Sequence, residues 1–351
     1  VQVDPTILIF LSSGLFLGWA LGANDAANVF GTAVGTKMIP WLTAAIICSV
    51  FLVLGAVVSG AGAAHTLGKL GSITQPAGAF MAALSAALSV FTMTKAGLPV
   101  STTQAIVGAI VGWNLFSGVD TDINTLSTIL ATWIICPVLA ALIAMALFSG
   151  TSFIMRHTKP HMLRVDAYTR VGLLVAGAFG AYSLGANNIS NVVGVFLPSS
   201  PFRDIVVADL FTISAAEQLF LLGGLAIAVG VLTYSKRVML TVGTGLSRIS
   251  PIAAWAAVTA HSIVLFIFAS RGLEAWLAGN GLPTIPLVPV SSSQAVVGAV
   301  VGITLMQGMQ GLRVRMLLRI VLGWVLTPFL AAIICFIGLF FLQNVFAQSV
   351  L

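Results

Sequence analysis

The chain has 351 residues, of which 15 are Lys or Arg and 9 are Asp or Glu; 59% are apolar and the mean hydropathy is +1.10. A soluble domain spends about a quarter of its residues on charge, so 7% charged residues exclude a water-facing surface of this size, and with it a soluble enzyme or a disordered chain. The net charge of +6 does not make a nucleic-acid reader, because the basic residues fall singly or in threes and fours between apolar runs, not in one solvated stripe.

Those runs lie at 6–36, 41–63, 73–94, 98–116 and 125–150, and again at 171–197, 209–233, 251–270, 283–306 and 320–343. Most approach the ~20 residues that cross a bilayer as a helix, and none alternates as a barrel strand does. The first run, from Ile7, has neither a basic leader nor a small-residue cleavage site, so it reads as a membrane helix and not a signal peptide. The first and sixth runs are the longer ones, and each carries a polar Gly-Asn cluster that predicts a broken helix. Cys48, Cys136 and Cys335 all sit in apolar runs, where thiols act as small buried hydrophobes; they have neither metal nor disulfide spacing.

Charge tests the count. If every run crosses once and the N-terminus is outside, the inside loops hold Lys37, Lys95, Arg156, Lys159, Arg164, Arg170, Lys236, Arg237, Arg248, Arg313, Arg315 and Arg319. Only Lys69, Arg203 and Arg271 are then left outside, which satisfies the positive-inside rule. If 98–116 and 283–306 dip in and return on their own, the bias vanishes. The expectation is an all-α polytopic membrane protein with ten crossings, both termini outside, in the plasma (inner) membrane.

Residues 21–31, LGANDAANVFG, return at 184–194 as LGANNISNVVG, and 99–112, PVSTTQAIVGAIVG, return at 289–302 as PVSSSQAVVGAVVG. The chain is therefore duplicated, with a first half at 1–150, a short cytoplasmic linker at 151–170 and a second half at 171–351. An odd number of crossings per half turns the second half upside down in the membrane. Inverted repeats mark secondary transporters, whose substrate sits near the midplane between the halves.

Asn24, Asp25 and Asn28 are matched by Asn187, Asn188 and Asn191. Lipid offers no hydrogen bonds, so this cluster faces protein, water or ligand, and an acid at this depth makes Asp25 a functional candidate. Helix capping accounts for one polar residue per break, not for three repeated twice. Ser101, Thr102, Thr103 and Gln104 follow Pro99, and Ser291, Ser292, Ser293 and Gln294 follow Pro289. Pro discourages helix at the preceding residue and Ser/Thr favour N-caps, so a helix starts here inside the membrane, with free N–H groups and a positive dipole end for an anion. The Gly108/Gly112 and Gly298/Gly302 spacings read as close helix packing. Neither motif pair holds Lys or Arg, while its carboxylate and amide oxygens suit Na⁺. Cation-coupled anion transport follows as the reading. Glu217 is a further candidate cation or proton site. His65 and His261 fall near predicted loop ends and His157 and His161 in the linker, with no role assigned. Nothing forms a metal cluster or a catalytic constellation.

GANDAAN and GANNISN together with PVSTTQ and PVSSSQ resemble the inorganic phosphate transporter family of cation-coupled symporters, through both halves. The resemblance implies an inverted-repeat symporter that brings phosphate inward, needs no cofactor beyond Na⁺ as coupling ion, and forms a homodimer. By position it implies phosphate contacts from Asp25, Asn28, Ser101, Thr102, Thr103, Asn191, Ser291, Ser292 and Ser293, and sodium contacts from Asn24, Asp25, Gln104, Asn187, Asn188 and Gln294. Two departures stand out. Asn188 occupies a place where the family often has Asp, and Gln104 and Gln294 replace a frequent His. Gln does not titrate, which favours Na⁺ over H⁺. A H⁺-coupled or sulfate-carrying relative of the same fold, and a passive anion channel, remain the alternatives.

Overall fold

The computed structural model describes residues 5–96, 100–207, 211–245, 249–309 and 312–350. Pro99, Asp209 and Arg248 lie outside them, as does the side chain of His65. The first half contains α1 (Pro5–Gly35), α2 (Trp41–Ser59), α3 (Ala61–Gly71), α4 (Pro76–Lys95), α5 (Thr102–Ser117) and α6 (Ile123–Thr158). The second contains α7 (Met162–Val193), α8 (Ala215–Gly245), α9 (Pro251–Ile267), α10 (Arg271–Gly279), α11 (Ser292–Met306) and α12 (Val314–Asn344). Between α7 and α8 a small hairpin pairs β1 (Ile205–Val207) with β2 (Phe211–Ile213), Ile205 opposite Ile213.

The packing is that of a membrane bundle. Large apolar side chains such as Ile134 and Phe329 point outward, while the interior is built mostly of Ala, Gly and Ser. Lipid is as apolar as Leu, so helices associate through small residues that let backbones approach. Among the described residues, six helices are long and apolar enough to cross a membrane, or seven if α9 and α10, bent by 66°, count as one.

The direction of each helix follows from its neighbours. α4 runs alongside α1 in the same sense: Phe80 meets Phe10, Phe91 meets Phe16, and Thr94 reaches Asn24. α5 begins at that same level, the Val100 carbonyl accepting from Asn24 at 3.1 Å. It then turns back, because Trp113 near its end lies against Gly78 near the start of α4. α4 and α5 are thus a hairpin, with the end of α4 and the start of α5 beside the middle of α1. α11 follows α6 in parallel, with Gly298 on Pro137, Gly302 on Ala141 and Met306 by Ser149. It thereby returns to the face where α9 starts.

This corrects the expectation of ten net crossings. The pairs α4–α5 and α9–α11 each enter and leave by one face, and at 16 and 15 residues α5 and α11 span only about 24 Å, short of the ~30 Å hydrocarbon core. The charge asymmetry survives, since each hairpin returns as a unit. Both described chain ends emerge on one face and the α6–α7 linker on the other. Lys37, Arg156, Lys159, Arg164, Arg170, Lys236, Arg237, Arg313 and Arg315 lie toward the linker face, against Lys69 and Arg203 toward the other, while Lys95 and Arg271 stand between the two arms of a hairpin.

The expected breaks at the Gly-Asn clusters are also corrected. α1 and α7 run unbroken through residues 22–31 and 185–191. The glycines serve close approach: a Cβ on Gly22 would strike the Ile227 carbonyl, and one on Gly185 the Leu52 carbonyl. Helices do begin at the second motif pair, Ser101 and Ser291 being the N-caps of α5 and α11.

The packing repeats when α1, α2, α4, α5 and α6 are exchanged for α7, α8, α9, α11 and α12. α1 lies on α8 as α7 lies on α2; α5 lies on α12 as α11 lies on α6; α1 lies on α4 as α7 lies on α9. α1 and α7 are antiparallel, Gly14 facing Val192 and Gly177 facing Phe30.

Candidate functional site

At the level where both hairpins turn, α1 and α7 present their polar residues inward. Asp25 is the hub. Its carboxylate accepts from Asn24 Nδ2 at 2.7 Å, Thr102 Oγ1 at 3.1 Å, Asn188 Nδ2 at 3.3 Å and Asn28 Nδ2 at 3.5 Å. Those donors come from both halves, and all are buried. Among the described residues no Lys or Arg pairs with it. Lys95, at the turn of the first hairpin, points outward.

The matched asparagines hold the motif helices in place. Asn24 donates to the Val100 carbonyl just before α5. Asn187 donates to the Val288 carbonyl at 3.0 Å and accepts from Val290 N–H at 2.8 Å, just before α11. Both can do so because they sit mid-helix on faces turned toward extended backbone whose polar groups would otherwise go unpaired. Asn28 then reaches across to Ser292 at 3.1 Å, and Asn191 to Thr103 at 2.9 Å. Each half therefore grips the other half's motif helix.

Ser101 Oγ accepts from Gln104 N–H and Ser291 Oγ from Gln294 N–H, both at 3.2 Å. The first-turn N–H groups of residues 102, 103, 292 and 293 have no intrahelical acceptor. Two positive helix ends and a ring of hydroxyls thus meet at one place, which suits an oxyanion.

A second feature points to a cation. Among the described residues, Gln104 Oε1, Gln294 Oε1, Asn188 Oδ1 and Asn191 Oδ1 are buried with no hydrogen-bond partner. A buried polar atom without a partner costs roughly 1–3 kcal/mol. Four on the motif residues form a supply of hard oxygen donors, and one of them, on Asn188, belongs to an amide that bonds the Asp25 carboxylate.

The candidate phosphate and sodium residues named from the sequence are all buried and lie on the facing motif segments. Glu217 is not among them. Its carboxylate accepts from Ser214 N–H at 2.7 Å and Ser214 Oγ at 2.8 Å, and Ser214 Oγ accepts from Glu217 N–H, a capping box at the start of α8. It stands ten residues, roughly 15 Å, from Ile227, which packs on Gly22. The structure thus sets this candidate cation or proton site at the start of α8, apart from the motif cluster. His261 is the residue the sequence missed: fully buried within α9, not near a loop end, its Nε2 lies 2.9 Å from Ser292 Oγ. No motif surrounds it, so only its lone position in an otherwise small, apolar helix could have flagged it. Elsewhere, a cleft of about 600 Å³ between α6, α7 and α9, lined by Met155, Arg164, Tyr168 and Trp255 among others, is separate from the motif cluster.

The sequence profile of the phosphate transporter family matches residues 21–335. A relative from Thermococcus kodakarensis, named "Putative phosphate permease", is 26% identical over 95% of this chain and 96% of its own. A sulfate permease from Bacillus subtilis is 28% identical over 92% and 84%. Among solved structures, one described as the sodium-dependent phosphate transporter superposes with a TM-score of 0.75 at 23% identity, covering 96% of this chain and 99% of its own. With a profile match across both motif pairs and both halves, the chain belongs to the phosphate transporter family and is a multi-pass membrane transporter, not an enzyme.

Proposed function

We propose that the protein is a Na⁺-coupled symporter that brings inorganic phosphate into the cell by alternating access. The observation that carries this reading is that two helix starts, one of them bonded to Asp25 through Thr102, come with four buried amide oxygens on the motif segments that have no partner among the described residues. A cation satisfies the oxygens and offsets Asp25; the anion then docks on the helix ends and hydroxyls. Phosphate contacts come from Asn28, Asn191 and residues 101–103 and 291–293. Sodium contacts come from Asp25, Asn188, Gln104 and Gln294. Asn24 and Asn187 hold backbone, and act on the cation through Asp25 and the motif helices.

The two halves, 1–150 and 171–351, act as inverted repeats about this site, joined by a cytoplasmic linker. Their hairpins are the elements that rock, with both termini outside the plasma membrane and two copies forming the working dimer. The membrane potential supplies about 2.3 kcal/mol per net positive charge per 100 mV, so Na⁺ charges must exceed phosphate charges in each cycle.

Sulfate is the second reading, favoured by the sulfate permease relative. Proteoliposomes with an imposed inward Na⁺ gradient test both. Uphill accumulation of labelled phosphate that requires Na⁺ and resists excess sulfate is the expected result. Accumulation driven by protons instead, displacement by sulfate, or equilibration without uphill accumulation would replace the coupling ion, the substrate or the transporter reading respectively.

A further inference from the structure

Among the described residues, Asp25 and His261 are the only Asp, Glu, Lys, Arg or His side chains that are buried. Each contacts the first-turn hydroxyl of a motif helix, Asp25 on Thr102 at 3.1 Å and His261 on Ser292 at 2.9 Å. Thr102 and Ser292 are matched positions of the duplication. We propose that His261 is a positioning residue that fixes Ser292 as a hydrogen-bond donor to the bound anion. The idea rests on the anion-binding reading above.

A serine hydroxyl has one proton to give and two lone pairs to accept with. Asn28 Nδ2 donates to Ser292 Oγ at 3.1 Å and fills one pair. Neutral imidazole carries its proton on one nitrogen. Nδ1 of His261 is buried without a partner, and a buried N–H with no acceptor is rarer than an unfilled lone pair. The proton therefore sits on Nε2, which donates to Ser292 and fills its second pair. Ser292 keeps only its own O–H, and no acceptor among the described residues takes it. That proton is left for an anion oxygen. In the first half the matched hydroxyl does the opposite, since Thr102 gives its proton to the Asp25 carboxylate. The two halves thus present equivalent hydroxyls in different roles, and His261 creates the difference.

The test is the concentration dependence of labelled phosphate uptake in proteoliposomes. His261→Gln places an amide nitrogen where Nε2 stands, and His261→Asn places one where Nδ1 stands. Gln is expected to stay within about twofold of the wild-type KM, and Asn and His261→Leu to raise KM about tenfold, the worth of one hydrogen bond, with the maximal rate largely kept. In a Ser292→Ala background, His261→Leu should add nothing further. Equal KM values for Gln and Asn, or a full additive loss in the Ser292→Ala background, would overturn the proposal. The Gln/Asn comparison stands even if His261→Leu fails to assemble. A wild-type protein that carries sulfate and not phosphate refutes the phosphate reading alone, and the same ratios are then read on sulfate.

Discussion

Replacing Asp25 by Asn changes one atom and removes the only acidic charge buried among the described residues, so it separates folding from coupling. The carboxylate's two oxygens receive different donors: Asn24 and Asn28 on one, Thr102 and Asn188 on the other. An amide can keep its carbonyl toward Asn24, with its NH₂ facing Thr102 and Asn188. Both of those can answer. The Thr102 hydroxyl can rotate, and the Asn188 amide can turn its unpartnered Oδ1 toward the new N–H. The cost to the fold is then about 1 kcal/mol, one weakened hydrogen bond. The cost to Na⁺ is larger. A unit charge at 4 Å contributes about 4 kcal/mol at an effective dielectric of 20, close to a thousandfold in affinity. Purified Asp25→Asn protein should melt within a few degrees of wild type, while Na⁺-driven uptake falls to background and half-saturation by Na⁺ moves beyond measurable concentrations. An unchanged Na⁺ dependence would refute the placing of the cation at Asp25; a collapse in yield would mean that the carboxylate is chiefly structural.

Gln104→Leu should raise the melting temperature in Na⁺-free detergent, because it removes a buried oxygen with no partner, and should also raise the Na⁺ concentration needed for uptake; a drop in stability would show that a protein group satisfies that oxygen. Gly108→Ala would push a Cβ into the Pro328 carbonyl, and Gly298→Ala into that of Pro137. Both should lower the melting temperature by several degrees, read by fluorescence-detected size exclusion, whereas Gly150→Ala, where nothing crowds the Cβ, should not. Glu217→Gln should leave the Na⁺ and pH dependence of uptake unchanged, with at most about 1 kcal/mol lost from the α8 cap; an altered coupling stoichiometry would establish it as an ion site.

Much of this protein is legible in its sequence, and the reasons are physical. Sparse charge and long apolar runs are properties of composition, so the membrane environment needs no tertiary information. The duplication is identity at matched spacing, as in PVSTTQ and PVSSSQ, and the need for a polar cluster to face something other than lipid singles out Asn24, Asp25, Asn28 and their counterparts. Direction was not legible. Hydropathy measures the length of an apolar run but not whether its helix continues or turns back, so the α4–α5 and α9–α11 hairpins emerged only from what Trp113 and Met306 touch. Gly22 and Gly185 looked like helix breakers because Gly permits both a break and a close approach, and only the facing carbonyls of Ile227 and Leu52 decide between them. His261 carries no motif at all. It joins the site because α9 crosses α11 at Ser292, a contact between residues 31 positions apart that only packing could bring about.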